Sequence, residues 1–364
     1  MAAAPAEPSV TATGAVLWDP ADGRVLLGKR AGAALPMAST TKIMTVLLAL
    51  EAGTGDETLT VSAEAAAVDD APGTATLGLQ PGQQLSVDSV LEGLLLQSGN
   101  DGAVAIAEHV AGTQAAFVAR MNERAVELGL DATSFVNPSG LTNDLAHSAS
   151  PTDLARLAEV AMRDDDFRDW AGSTASTVAG LGTLVNRNEL LERYPGATGV
   201  KTGYTSVAGL CLVASATRDG RQLFSVVLDS QASFTDAAAL LDYGFTAFRR
   251  VQPLRRHARV TRYRWADAEV ALVADGVLGR TLPAGAPARL RTMLRPDARR
   301  PLRRGQVVGS SQLLSRGRVV DEVALQTTRP VPTAPPASGA AAVGRAVQNA
   351  VRAFARLRPV ARGL

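Results

Sequence analysis

Short apolar runs at residues 14–18 and 24–29 flank the turn formers Asp19-Pro20-Ala21-Asp22-Gly23, and this pattern predicts a β-hairpin. A helix is expected from about Ser39, preceded by Pro36, carrying the apolar residues 43–50 and stopped at Gly53. From Val87 to about Gly129 apolar residues recur at helical spacing: Leu91, Leu94 and Leu95, then Val104, Ile106 and Val110, then Phe117, Met121 and Val126. Ser150-Pro151-Thr152-Asp153 reads as a helix start, with a capping residue before a first-turn proline, and the helix runs to about Met162.

Strand patterns return late. Two long apolar runs, 207–217 and 222–228, are separated by Arg218-Asp219-Gly220-Arg221, which predicts a second hairpin, and a helix over 233–248 follows. Strands at both ends of a helical stretch imply an α/β (α+β) unit, an antiparallel sheet flanked by helices with a helical subdomain. The expected organisation is a disordered segment 1–12, a catalytic domain 13–249, a small β-rich domain 250–329, a Pro-rich linker 330–340 and a basic amphipathic helix 341–364.

Composition narrows the picture. With 364 residues, 46% hydrophobic and 20% charged, the chain is ordinary globular material, and a net charge of +2 gives no reason to expect nucleic acid as a partner. The single cysteine, Cys211, excludes an intrachain disulfide and reads as a buried thiol in an apolar strand. His109, His147 and His257 lie far apart, so no metal and no cofactor is expected, and His109 reads as structural. Met1-Ala2-Ala3-Ala4-Pro5 lacks the basic and apolar regions of a secretory leader, and no apolar stretch reaches the roughly 18 residues of a membrane span.

The lysine count supplies the first chemical clue. Of 37 basic residues only Lys29, Lys42 and Lys201 are lysines. Arginine keeps its proton in proteins, whereas a lysine can be tuned to act as a neutral base or serve as a compact cation for an anion. Lys29 reads as a solvated strand-end residue, but the other two sit in motif settings. Ser39 and Lys42 form an S-x-x-K pair, so the amine lies one helical turn from the hydroxyl and can activate it as a nucleophile. A helix N-terminus adds free N–H groups and a positive dipole end for an oxyanion. Ser98-Gly99-Asn100 stands at a junction between two helices, and Lys201-Thr202-Gly203 enters the late strand region.

The three motifs in this order, with Gly199 and Val200 before the last and Tyr204-Thr205 after it, resemble the low-molecular-mass D-alanyl-D-alanine carboxypeptidases, serine-type penicillin-binding proteins. The similarity spans residues 13–330 and includes Asn137-Pro138-Ser139-Gly140-Leu141, where the family commonly has histidine at the position of Ser139, and Asn186-Arg187-Asn188. It implies the penicillin-recognising serine transferase fold and catalytic roles for Ser39, Lys42 and Ser98. Substrate contacts follow from Asn100, Lys201, Thr202, Gly203 and Tyr204, with backbone N–H groups of Ser39 and Tyr204 as the oxyanion hole. The implied partners are a peptidoglycan stem ending in D-Ala-D-Ala and β-lactams as inhibitors, at an extracytoplasmic location.

Other readings are a β-lactamase, a D,D-endopeptidase, and a non-catalytic scaffold of the same fold. No E-x-x-L-N segment of the lactamase kind stands between the second and third motifs, and every expected catalytic residue is present. In the tail, Val343, Val347, Ala350, Val351, Phe354 and Leu357 share one helical face while Arg345, Arg352 and Arg356 cluster opposite, a pattern suited to an anionic membrane surface.

Overall fold

A computed structural model describes residues 5–68, 74–265, 268–295, 301–331 and 355–356. Its internal contacts divide the chain into two units, Pro5–Phe245 and a second beginning at Thr246.

The first unit opens with the expected hairpin, β1 (Gly14–Asp19) and β2 (Arg24–Lys29). A 3-10 turn, Ala38–Thr41, leads into α1 (Lys42–Glu51), so Ser39 sits in a tight turn ahead of the α-helix rather than in its first turn. The helical block follows as α2 (Val87–Leu96), α3 (Asn100–Ala111), α4 (Gln114–Glu127) and α5 (Pro151–Ala161). Ser86, Thr113 and Ser150 cap three of these N-termini by accepting a backbone N–H. An additional short helix, α6 (Asp165–Gly172), carries its own Asp164 cap and was not apparent from periodicity over so few residues.

Then come β3 (Ala197–Thr205), β4 (Gly209–Arg218), β5 (Arg221–Ser230) and α7 (Ser233–Ala247). The strands form an antiparallel sheet in the order β2-β1-β5-β4-β3, which leaves β3 on an edge. Both faces of this sheet are buried. Leu17, Leu212, Ala214, Leu223 and Val227 pack with Leu240 and Leu241 of α7, while Val16, Val213, Phe224 and Val226 join the large core shared with α1, α2, α3 and α5. Double burial explains why β4 and β5 read as continuous apolar runs rather than alternating ones.

Of the expected disordered segment 1–12, the described residues Val10, Thr11 and Ala12 are held by hydrogen bonds to the catalytic unit. Thr11 and Ala12 donate backbone N–H bonds to the Asp236 carboxylate at 3.0–3.1 Å, and the Lys29 ammonium donates to Val10 O at 3.0 Å. Cys211 is buried, and burial pushes its thiol up to about 12.

The second unit is all β: β6 (Phe248–Leu254), β7 (Arg259–Trp265), β8 (Ala268–Ala274), β9 (Leu278–Pro283), β10 (Arg289–Leu294), β11 (Val307–Ser315) and β12 (Arg318–Thr327). β6 pairs with β9, and the larger sheet runs β7-β8-β12-β11-β10. Its core gathers Leu272, Leu278, Leu313 and Leu325. Val331, expected in the linker, instead exchanges backbone hydrogen bonds with Leu302 and is buried in this core. Residues 332–354 and 357–364, with most of the expected amphipathic helix, lie outside the described residues. Ala355–Arg356 are described as a two-residue strand beside β10, extended rather than helical at those positions. Among the described residues, no helix is long and apolar enough to cross a membrane.

Candidate active site

Ser39, Lys42, Ser98 and Asn100 come together where the 3-10 turn, the start of α1 and the α2–α3 junction meet. The Lys42 Nζ lies 2.7 Å from Asn100 Oδ1, 2.6 Å from the carbonyl of Ser139 and 3.1 Å from Ser39 Oγ. Lys42 is fully buried, and burial, reinforced by the positive charge of Lys201, holds its amine well below the ordinary lysine range. A neutral amine has two hydrogens and one lone pair. The two short contacts take the hydrogens, and the lone pair is left facing the serine hydroxyl.

The backbone around these groups is strained. Ala38 adopts φ +48° and Ser98 φ +67°, both left-handed and neither glycine. Gly140 is required where it stands: its φ is +82° and a Cβ there would lie 2.0 Å from the Ala38 carbonyl oxygen. The loop that carries it is folded by Asn137, whose Oδ1 accepts the N–H of Ser139 at 3.0 Å and of Gly140 at 2.7 Å. Lys42 meets this loop through the Ser139 carbonyl, so the contact tolerates serine where the family commonly has histidine.

At the second motif a Cβ on Gly99 would come within 2.4 Å of Leu77 Cγ. The buried Asp101 carboxylate accepts backbone N–H groups of Leu77 at 2.8 Å, Leu79 at 3.1 Å and Gly102 at 2.8 Å, fixing the segment that passes over the junction. Among the described residues Ser98 Oγ is buried without a hydrogen-bond partner, which is rare for a buried hydroxyl and suits a group whose partner is a substrate or a transferred proton.

The third motif lies on β3, the sheet edge nearest the 3-10 turn. A Cβ on Gly203 would be 3.0 Å from Ser39 N and 3.2 Å from Met37 O, so the missing side chain lets the strand close on the nucleophile's amide. Thr202, Gly203 and Tyr204 line the same cleft as Ser39, Ser98 and Asn100; it has a volume of about 670 Å³, and Tyr204 is 65% exposed beside it.

Lys201 departs from expectation. It is 1% exposed, its ammonium donates to the neighbouring Thr202 carbonyl at 3.2 Å, and it does not line the cleft. Burial, with the Arg187 charge beside it, lowers its value to about 7. The cation that does line the cleft is Arg187, seen in the sequence only as part of a supporting motif. No carboxylate lines this cleft among the described residues.

His147 was also missed as part of the site. The Val136 N–H donates to its Nδ1 at 3.0 Å, which fixes the proton on Nε2; Nε2 then donates to Thr41 Oγ1 at 2.7 Å, and Thr41 donates to Ala38 O at 2.7 Å. Burial lowers its value to about 4, so the ring stays neutral and this relay braces the strained turn of Ser39. His109, by contrast, pairs with Glu57 at 2.9 Å on the surface.

The profile of one peptidase family, described as D-alanyl-D-alanine carboxypeptidase, matches residues 1–232. The chain belongs to this family. The D-alanyl-D-alanine carboxypeptidase DacC of Escherichia coli strain K12 is 34% identical over 332 residues, covering 86% of this chain and 83% of that protein. DacF of Bacillus subtilis strain 168, with the same description, is 34% identical over 259 residues, 69% of this chain and 66% of its own length. Among solved structures, penicillin binding protein 5 from Haemophilus influenzae superposes with a TM-score of 0.74 at 29% identity, covering 90% of this chain and 99% of that one. The family match falls on the sheet-and-helix unit and makes the chain a serine peptidase, while the Escherichia coli and Haemophilus influenzae relatives extend over the second unit as well.

Proposed function

We propose that the chain removes the terminal D-alanine from peptidoglycan pentapeptide stems through an acyl-enzyme on Ser39. The observation that carries this reading is the coordination of Lys42: two short hydrogen bonds occupy its hydrogens, and its lone pair is free to take the Ser39 proton. Ser39 attacks the carbonyl of the penultimate D-alanine, the backbone N–H groups of Ser39 and Tyr204 receive the oxyanion, and Ser98 relays the proton to the departing amine. Asn100 offers its amide N–H to the acyl side while Oδ1 stays on Lys42. Thr202, which lines the cleft, holds the terminal carboxylate directly, and the buried charge of Lys201 beside it acts at longer range, with Gly203 keeping the strand close. D-Alanine leaves, and water releases the shortened peptide.

A lactamase reading needs a carboxylate poised over the acyl-enzyme, and none lines the cleft among the described residues, which favours slow release of a penicilloyl adduct. The substrate supports a location on the outer side of the plasma membrane with β-lactams as inhibitors, and the basic amphipathic pattern of 341–364 supports a peripheral attachment to an anionic membrane surface.

Incubation with a pentapeptide ending in D-Ala-D-Ala is expected to release free D-alanine at a rate that falls by at least about 10³-fold in Ser39→Ala. Unchanged release from that variant would rule out the acyl-enzyme route.

A further inference from the structure

The overall charge of +2 conceals two opposed halves. Residues 5–245 carry 14 lysines and arginines against 29 acids, a formal charge of −15. Residues 246–331 carry 18 arginines, no lysine and six acids, +12, and residues 332–364 add five arginines and no acid.

Six acids can neutralise at most a third of the guanidinium groups in 246–331, and some are engaged otherwise. Arg262 pairs with Glu269 at 2.9 Å, but the Asp321 carboxylate is bonded to the backbone N–H groups of Gly279 and Glu322. Among the described residues of this unit, 13 arginines are exposed.

Part of that charge is arranged by strand periodicity. Along β10 the exposed positions alternate with half-buried ones, so Arg289, Arg291 and Met293 stand on one side of the strand, with Arg295 exposed just beyond its end. The register Arg289↔Leu314 and Leu314↔Val319 brings the exposed turn residues Arg316 and Arg318 to the Arg289 end. Apolar side chains are interspersed. Met293 is 49% exposed, Val319 45% and Val307 37%, and Met293, Val307 and Arg295 line one shallow depression of about 470 Å³ that also holds one carboxylate, Glu322, which accepts from Gln312 at 3.0 Å while Arg291 donates to the same Gln312.

We propose that the 246–331 unit docks on an anionic phospholipid bilayer through Arg289, Arg291, Arg295, Arg316 and Arg318, independently of the tail. Guanidinium groups match phosphate bidentately, and the excess of them over acids in this unit leaves most free of an acidic partner in number. The exposed Met293, Val307 and Val319 distinguish a lipid surface from a soluble polyanion, because a headgroup region offers phosphates and an apolar boundary side by side. Chain continuity argues the same way, since the segment beyond Val331 is itself basic with interspersed valines, a phenylalanine and two leucines. The acidic 5–245 unit is repelled by the same surface.

The test uses the full chain and co-sedimentation with phosphatidylglycerol or phosphatidylcholine vesicles. The triple variant Arg289→Gln, Arg291→Gln, Arg295→Gln is expected to bind phosphatidylglycerol vesicles roughly 10²-fold more weakly, at about five-fold per arginine. D-Alanine release from a soluble peptide should be unchanged, which verifies the fold. Wild-type binding should also fall on raising salt from 0.05 to 0.5 M, and a chain ending at Val331 should retain salt-sensitive binding. Undiminished binding by the triple variant, loss of all binding on removing 332–364, or binding to a DNA duplex without binding to the vesicles would each overturn the proposal.

Discussion

A lysine that takes a proton from serine must be neutral, and one that holds a substrate carboxylate must be charged, so the two amines of this site have opposite requirements. Lys42 meets the first through complete burial and the proximity of Lys201. Lys201, at about 7, keeps its proton only at or below neutrality. The value for kcat/KM is therefore expected to fall as pH rises through about 7, and Lys201→Arg, permanently charged, should remove that alkaline fall while acylating at pH 6. The linked stability has the same origin and a definite sign: both folded-state values are depressed, so the lysines' contribution is full above their ordinary 10.5 and is lost as pH falls, for Lys201 through about 7. At this scale the sequence was legible where a residue type was scarce, as with the three lysines. It was silent on His147, whose partner Thr41 stands 106 positions earlier, and on Arg187, one guanidinium among 34 arginines.

The elements that hold these groups meet through glycines that leave no room for a side chain. A side chain on Gly112, which ends α3 with φ +78°, would meet nothing within 4 Å among the described residues, whereas one on Gly140 would be driven onto the Ala38 carbonyl. Gly112→Ala is expected to cost about 1 kcal/mol in urea unfolding with penicillin acylation intact. Gly140→Ala should cost more than that and also slow acylation at least about 10²-fold, because the Ser39 turn and the Ser139 carbonyl under Lys42 must move together. Equal effects of the two substitutions would argue against the loop as a support for the base. Long periodic helices such as α2 to α5, and the double-buried β4–β5 hairpin, were readable from apolar spacing. The 3-10 turn at Ser39 and α6 were not, since the two turns of α6 leave barely a period to detect and a tight turn is fixed by contacts with the 137–141 loop and β3.

On the scale of the whole chain, a sheet-and-helix unit containing the nucleophile is followed by an arginine-rich β unit, and the relatives in Escherichia coli and Haemophilus influenzae extend over both. The N-terminal segment and Val331 show how far composition alone misjudges a boundary: Thr11 and Val331 look like tail and linker, yet each is tied by specific hydrogen bonds to a residue 225 positions away in one case and to Leu302 in the other. The central claim concerns Ser39, its base and a cleft that no carboxylate lines among the described residues. Mass spectrometry of the intact chain after brief exposure to penicillin, followed by peptide mapping over time, tests it most directly. The expected result is one penicilloyl group on Ser39 that persists for many minutes and is absent in Ser39→Ala. An adduct elsewhere, or rapid turnover of penicillin with no adduct, would contradict it.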